Sequence, residues 1–271
     1  MLRTLIIWVI APLLLFSGRS DAATGKNARQ EAIEIVSRIK RADYEGDRTT
    51  LKKSHAELTP YLEEQQLASR VRYWRGFALW RSAINGGNDP SSDKTELEKE
   101  FIQGAEEFRE AIAKDADFVD AKVGLISCLG YVAYYHRQEK DRLSELLGGI
   151  FPLVKEAKAT APDNPRLIWV LGPILWNTPA DRGGGIDKVI ESYERGLEIC
   201  SKIKTPENGL EPSWGKPELM MSLAYTYLQK NPADVNAAER NARGALEIVP
   251  YWHYLRDILL PQIVAAKTKN P

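Results

Sequence analysis

The stretch MMSLAYTYLQKNPADVNAAERNARGALEIVP (220–250) contains two apolar helical patterns separated by a polar turn. The residues at helical spacing are Met220, Leu223, Ala224 and Tyr227 in the first half, and Ala238, Ala242, Ala245 and Pro250 in the second. Small residues at this spacing let two antiparallel helices touch, and a proline at the position of Pro250 starts the next unit. The stretch therefore predicts a pair of antiparallel helices.

Second-helix patterns of the same kind occur three times upstream, so the sequence predicts a repeated helix pair. The equivalent small residues are Ala111, Ala157, Gly196 and Ala245, which lie 46, 39 and 49 residues apart. Polar breaks separate the helical patterns, and the chain shows no sustained alternation of β-branched residues that would indicate strands. These observations predict an all-α protein built from successive helix pairs with extended turns.

On these patterns the chain resembles tetratricopeptide-repeat (TPR) proteins, whose standard period is about 34 residues. The motifs TPA (178–180), GGG (183–185) and WG (214–215) are similar to a stretch in exported bacterial TPR proteins of unassigned function. The resemblance implies an all-α, TPR-like right-handed superhelix of antiparallel helix pairs, an α-solenoid. The domains expected from it are an N-terminal helical pair at 23–64, about four divergent units at 65–252, and a closing helix and tail at 253–271.

The N-terminus has the pattern of a secretory signal. Arg3 precedes the uncharged apolar run 4–16, which is shorter than the roughly 20 residues that span a bilayer. Ser20 and Ala22 are small residues of the kind that a signal peptidase requires. We expect residues 1–22 to be a cleaved signal peptide, with an uncleaved anchor as the alternative. The mature protein is then periplasmic or secreted and has no stable membrane anchor.

Composition excludes some partners and leaves the state of the cysteines open. The chain has 37 basic and 37 acidic residues without a basic cluster, so nucleic acid is not an expected partner. Cys128 and Cys200 both lie in apolar helical patterns. An exported protein permits a disulfide between them, and buried free thiols are the alternative.

The three consecutive glycines at 183–185 could hold a phosphate or form a turn. A phosphate-binding P-loop requires Lys and then Ser or Thr after its last glycine, whereas Ile186 and Asp187 follow here. An acidic side chain in the first helical turn repels phosphate. The sequence therefore predicts a turn between two helices.

No catalytic or metal-binding motif is present. His55, His136 and His253 are far apart, and the sequence lacks HExxH, CxxC and G-x-S-x-G motifs. We therefore expect no enzymatic activity, no metal and no cofactor.

In TPR proteins the first helix of each unit lines a concave groove, and this resemblance implies a set of candidate binding residues. Transferred by register, they are Tyr131, Arg166, Trp169, Trp176, Asn177, Met221 and Tyr225. Tryptophan, tyrosine and arginine dominate binding hot spots. Trp169 and Trp176 could instead pack in the core.

The function expected from this resemblance is that of an exported, non-enzymatic scaffold. It would bind a peptide or a protein partner of the cell envelope in its concave groove. The alternative is a periplasmic accessory protein that binds a small molecule or serves a transporter. An open groove along several units favours the first function, and an enclosed pocket favours the second.

Overall fold

The computed structural model describes residues 20–204 and 206–269, which form eleven α-helices and no strand. The helices are α1 (Ser20–Glu45), α2 (Arg48–Glu57), α3 (Ala68–Gly86), α4 (Lys94–Lys114), α5 (Val119–Tyr135), α6 (Lys140–Thr160), α7 (Pro165–Asn177), α8 (Ile186–Lys202), α9 (Lys216–Gln229), α10 (Val235–Ile248) and α11 (Leu260–Lys269). Short 3₁₀ helices lie at Thr59–Glu63 and Ala180–Arg182, and a π-helical segment at Tyr254–Leu259 leads into α11.

The N-terminal signal prediction falls almost entirely outside the described part of the chain. Residues 1–19 are not described, and α1 begins at Ser20. Within the described ranges, no helix is both long enough and apolar enough to cross a membrane.

Most consecutive helices pack against each other, with α7 packing on α5 and α8, and the predicted all-α fold of paired helices is confirmed. The α3/α4 pair shows why small residues recur at the motif positions. A Cβ atom on Gly76 would lie 3.1 Å from the carbonyl oxygen of Gly104, and a Cβ on Gly104 would lie 3.2 Å from that of Gly76. The two backbones therefore lie in close contact, and a Cβ at either position would have to push the neighbouring backbone away by a few tenths of an ångström.

The three consecutive glycines form the predicted turn between α7 and α8. Gly183 and Gly185 have φ values of +84° and +92°, which L side chains rarely adopt. The amide of Gly185 donates to the carbonyl of Leu175 at 2.9 Å. A Cβ on Gly184 would lie 2.2 Å from the carbonyl oxygen of Thr178. The tight turn between α7 and α8 therefore requires glycine at these positions.

Cys128 and Cys200 are free thiols, so the disulfide alternative is not formed in this structure. Cys128 is buried on α5, and burial raises the pKa of its thiol well above the usual value.

The segment between α8 and α9 turns back across the solenoid and docks on the first helices. We call residues 206–215 the connecting segment. Trp74 on α3 donates its indole N–H to the carbonyl of Leu210 at 2.7 Å. Trp214 is only 7% exposed and donates its own indole N–H to the Tyr73 hydroxyl at 2.8 Å. The connecting segment thereby joins the last units to the first.

The indole of Trp214 also packs among other aromatic rings. Its ring centroid lies 5.9 Å from that of Phe77, 5.7 Å from Trp80 and 5.6 Å from Trp169. Such tilted and edge-to-face pairs add to the hydrophobic stabilisation of burial. Helices α3 and α7 therefore meet around Trp214.

Trp214→Ala is expected to lower the free energy of unfolding by about 3–5 kcal/mol, because it removes a buried aromatic side chain and leaves the buried Tyr73 hydroxyl without its donor. Urea unfolding followed by circular dichroism measures the change. The matched control is Trp176→Ala, at a half-buried tryptophan, which should cost clearly less. Equal losses for the two variants would show that the connecting segment does not stabilise the fold.

A buried ion-pair network joins α2, α3 and α4. The Glu107 carboxylate on α4 accepts from Arg72 and Arg75 on α3, each at 2.9 Å, and lies 3.3 Å from Nε2 of His55 on α2. Burial alone would raise the pKa of Glu107, but the hydrogen bonds from His55, Arg75 and Arg72 outweigh it and lower the pKa to about 2. The folded state therefore favours the ionised carboxylate.

The Glu107 network predicts a specific loss of stability in acid. A lowered folded-state pKa adds stability that is complete above the ordinary value of 4.5 and disappears as the pH falls through about 2. A shift of this size corresponds to roughly 3 kcal/mol. Urea unfolding across this range should show a much weaker acid dependence for Glu107→Gln than for the wild type. Glu106→Gln, at the exposed neighbouring position, should keep the wild-type slope, and equal slopes for all three proteins would contradict the prediction.

Candidate functional site

The inner face of the solenoid forms a partly open cavity of about 630 Å³. Helices α3, α5, α7 and α9 supply most of its lining, and Trp252 and Tyr254 also belong to it. Cavities of this size are typical of binding sites in proteins. The first helices of successive pairs thus face one common space.

Six of the seven residues predicted from the register line this cavity. They are Tyr131 on α5, Trp169, Trp176 and Asn177 on α7, and Met221 and Tyr225 on α9. The aromatic members keep accessible surface, since Tyr131 is 38% and Tyr225 is 42% exposed. The structure therefore brings these six predicted residues together in one place.

Arg166, the seventh, lies outside the cavity lining. Its guanidinium donates to both carboxylate oxygens of Asp120, at 2.6 and 2.9 Å, and to the carbonyl of Trp214 at 3.1 Å. Asp120 and Arg166 occupy the same position in successive units, which places them side by side. The connecting segment covers both side chains, so their charges are paired with each other. Through its hydrogen bond to the carbonyl of Trp214, Arg166 also holds this segment in place.

Trp169 and Trp176 are both half-buried, but they differ in their surroundings. Trp169 donates its indole N–H to the Ser222 hydroxyl at 2.8 Å and packs near Trp214. Trp176 lies beside Tyr225, with 6.0 Å between ring centroids. Trp169 is therefore tied to the core along one side, while Trp176 and Tyr225 form a pair within the cavity.

Sequence reasoning missed Arg81, which lines the cavity from α3. Arg81 is only 4% exposed, and its Nε donates to Oδ1 of Asp43 on α1 at 2.7 Å. Asn85, one turn further along α3, donates to the same oxygen at 3.2 Å. In the sequence, Arg81 could have been recognised as a charged residue that follows the apolar run FALW within the stretch SRVRYWRGFALWRSAI (69–84).

Next to this ion pair, α1 and α9 meet through a second buried carboxylate. The Tyr44 hydroxyl donates to Oε1 of Glu218 at 2.6 Å, and the amide of Gly215 donates to Oε2 at 2.7 Å. Glu218 is 1% exposed, and burial raises the pKa of its carboxyl. Although burial opposes the charge on Arg81, its partner Asp43 raises the pKa of Arg81 further above its usual range. We call Asp43, Tyr44, Arg81 and Glu218 the closure cluster.

A solved structure shares this architecture, although no family model and no curated protein matches the sequence. TTC0263, a thermophilic TPR protein of Thermus thermophilus, aligns with 89% of this chain and 99% of its own, at 16% identity and a TM-score of 0.52. The chain has a TPR-like fold. At this identity the likeness concerns the fold, and it confirms the resemblance seen in the repeat patterns.

The inner face of this TPR-like solenoid offers aromatic surface and hydrogen-bond donors. Among the described residues, no group of three or more His, Cys, Asp or Glu side chains could hold a metal ion. The cavity lining combines aromatic rings with Asn85, Asn88, Ser127, Asn177, Ser222 and Thr226. Such a surface can bind apolar groups and orient polar ones.

Tyr44→Phe tests the contact between α1 and α9. It removes the donor to a buried carboxylate oxygen, so the free energy of unfolding should fall by about 1–3 kcal/mol. Tyr61→Phe is the matched control, because the Tyr61 hydroxyl donates to Glu31 at an exposed site and its loss should cost under about 0.5 kcal/mol. Urea unfolding measures both, and an unchanged stability of Tyr44→Phe would contradict the role of the closure cluster.

Proposed function

We propose that the protein is an exported, non-enzymatic helical-repeat scaffold that binds a segment of a cell-envelope partner in its inner cavity. The observation that carries this proposal is the convergence of aromatic side chains from three successive helix pairs, Tyr131, Trp176 and Tyr225 among them, on one accessible space. The TPR-like fold supports it, because stacked helix pairs form extended concave binding surfaces.

The chemistry of the cavity suits a protein segment. Tyrosine and tryptophan supply a large contact area with few rotatable bonds and are enriched in binding hot spots. Because α3, α5, α7 and α9 all contribute to the lining, an extended segment would touch several units in turn. Asn177 and Asn88 offer amide groups near these rings for hydrogen bonds to a peptide backbone.

Export is supported by the N-terminal sequence. The apolar run 4–16 follows Arg3 and precedes small residues near position 22, the pattern of a cleaved signal. We therefore place the working location of the scaffold in the periplasm or outside the cell, and the partner in the same compartment.

The test is a cross-linking pull-down from the native cell envelope. The baits are the wild-type mature chain and the variant Trp176→Ala/Tyr225→Ala, whose changes lie in the cavity. Two hot-spot aromatics contribute about 2 kcal/mol each, so capture of the partner should fall at least tenfold in the variant. Quantitative mass spectrometry of the captured proteins measures the loss.

Phe151→Ala is the matched control, since Phe151 is an exposed aromatic residue on α6 that does not line the cavity. This variant should capture the partner as the wild type does. Equal capture by the wild type and by the cavity variant, with both folded by circular dichroism, would refute the cavity as the binding site.

A second candidate function, small-molecule binding or service to a transporter, is favoured by one observation. Trp169 and Trp252 both line the cavity, and packing against Trp214 holds Trp169 in place, so part of the wall is fixed and aromatic as in a ligand pocket. Native mass spectrometry of the purified protein distinguishes the two functions, because a small ligand would appear as a defined mass increment without any protein partner.

A further inference from the structure

The Arg81 guanidinium is buried, yet part of it has no partner in the protein. Its Nε binds Asp43 at 2.7 Å, but within the described residues neither Nη nitrogen has a hydrogen-bond acceptor. Arg81 is 4% exposed and lines the cavity. The Nη nitrogens are not among the fully buried atoms without a partner, so this edge of the guanidinium is accessible and can donate to a group that enters the cavity.

The surroundings of this free edge are aromatic. Among the described residues that line the cavity, Arg81 is the only one with a charged side chain. Its Cζ atom lies 5.6 Å from the ring centroid of Trp80 and 5.7 Å from that of Trp169. A single cation in an aromatic cavity without carboxylates favours an anionic group attached to an apolar body.

The two carboxylates of the closure cluster do not compete for this edge. Asp43 is engaged by Nε of Arg81 and by Asn85. Both oxygens of Glu218 accept other donors, from Tyr44 and Gly215. The Nη nitrogens therefore face the cavity and not an acid of the protein.

We propose that Arg81 receives the carboxylate of a ligand whose apolar body packs against Trp169, Trp176 and Tyr225. A guanidinium offers paired N–H donors that match carboxylate oxygens, and the bond is strengthened by charge and by the low polarity of the site. This inference rests on the proposed use of the cavity for binding and names the group that the cavity selects. The carboxylate can come from the C-terminus of a peptide or from a free organic acid.

The test compares each acid with its uncharged amide on the wild-type mature chain. For the organic acid, the pair is 4-phenylbutyrate and its uncharged amide, 4-phenylbutyramide. The peptide probes are an N-acetylated hexapeptide that ends in Leu-Phe, with a free carboxylate or with a C-terminal amide. Tryptophan fluorescence reports binding, because Trp169, Trp176 and Trp252 line the cavity, and calorimetry confirms the affinities.

We expect at least one acid to bind tenfold or more tightly than its amide, and the pair that shows the difference identifies the source of the carboxylate. The variant Asp43→Asn/Arg81→Met removes Arg81 together with its ion-pair partner, and it should abolish the preference. The matched control Glu239→Gln/Arg243→Met removes a surface ion pair and should retain it.

Equal affinity of acid and amide in the wild type would overturn the inference, and this comparison needs no variant to fold. Absence of binding by all four probes up to their solubility, or a preference that persists without Arg81, would overturn it as well. The proposed function fails by a different result, namely unchanged partner capture by Trp176→Ala/Tyr225→Ala. The two failures are therefore distinguishable.

Discussion

Docking of Trp214 on α3 is the interaction on which the rest of the architecture depends. Its indole binds the Tyr73 hydroxyl and packs against Phe77, Trp80 and Trp169, while the Trp74 indole holds the same segment through Leu210. In most solenoids each unit contacts only its neighbours. Here a segment between α8 and α9 reaches back to the first helices, and the repeat array closes on itself.

Closure also explains the chemistry of the cavity. Because α1 and α9 meet at Tyr44 and Glu218, the Arg81–Asp43 pair beside them is removed from water and lies at the edge of the cavity. Aromatic rings from α5, α7 and α9 form the remaining walls. In an open groove, water would solvate Arg81 and bind its unpaired N–H groups. Arg81 would then contribute little to the selection of a ligand.

Local patterns in the sequence predicted the helices, their pairing and six cavity residues, because side chains such as Trp176 and Tyr225 follow directly from helical register. Contacts between distant residues were not predictable in this way. The stretch around Trp214 has the composition of a simple turn, and its partners Tyr73 and Trp74 lie well over a hundred residues earlier. Arg166 was misplaced for the same reason, since the register could not show that Asp120 and the connecting segment would engage it.

The meeting of α1 with α9 has a consequence for how the chain folds. An open repeat array can fray from either end, one helix pair at a time. In this protein the first helix is held by residues 174 positions away, so it cannot detach without exposing Glu218 and the rings around it. Unfolding is then cooperative over the whole array, and folding must bring together contacts of very large sequence separation before they stabilise anything. Among the described helices, the closed form therefore exchanges rapid, modular folding for a native state in which α1 and α9 hold each other.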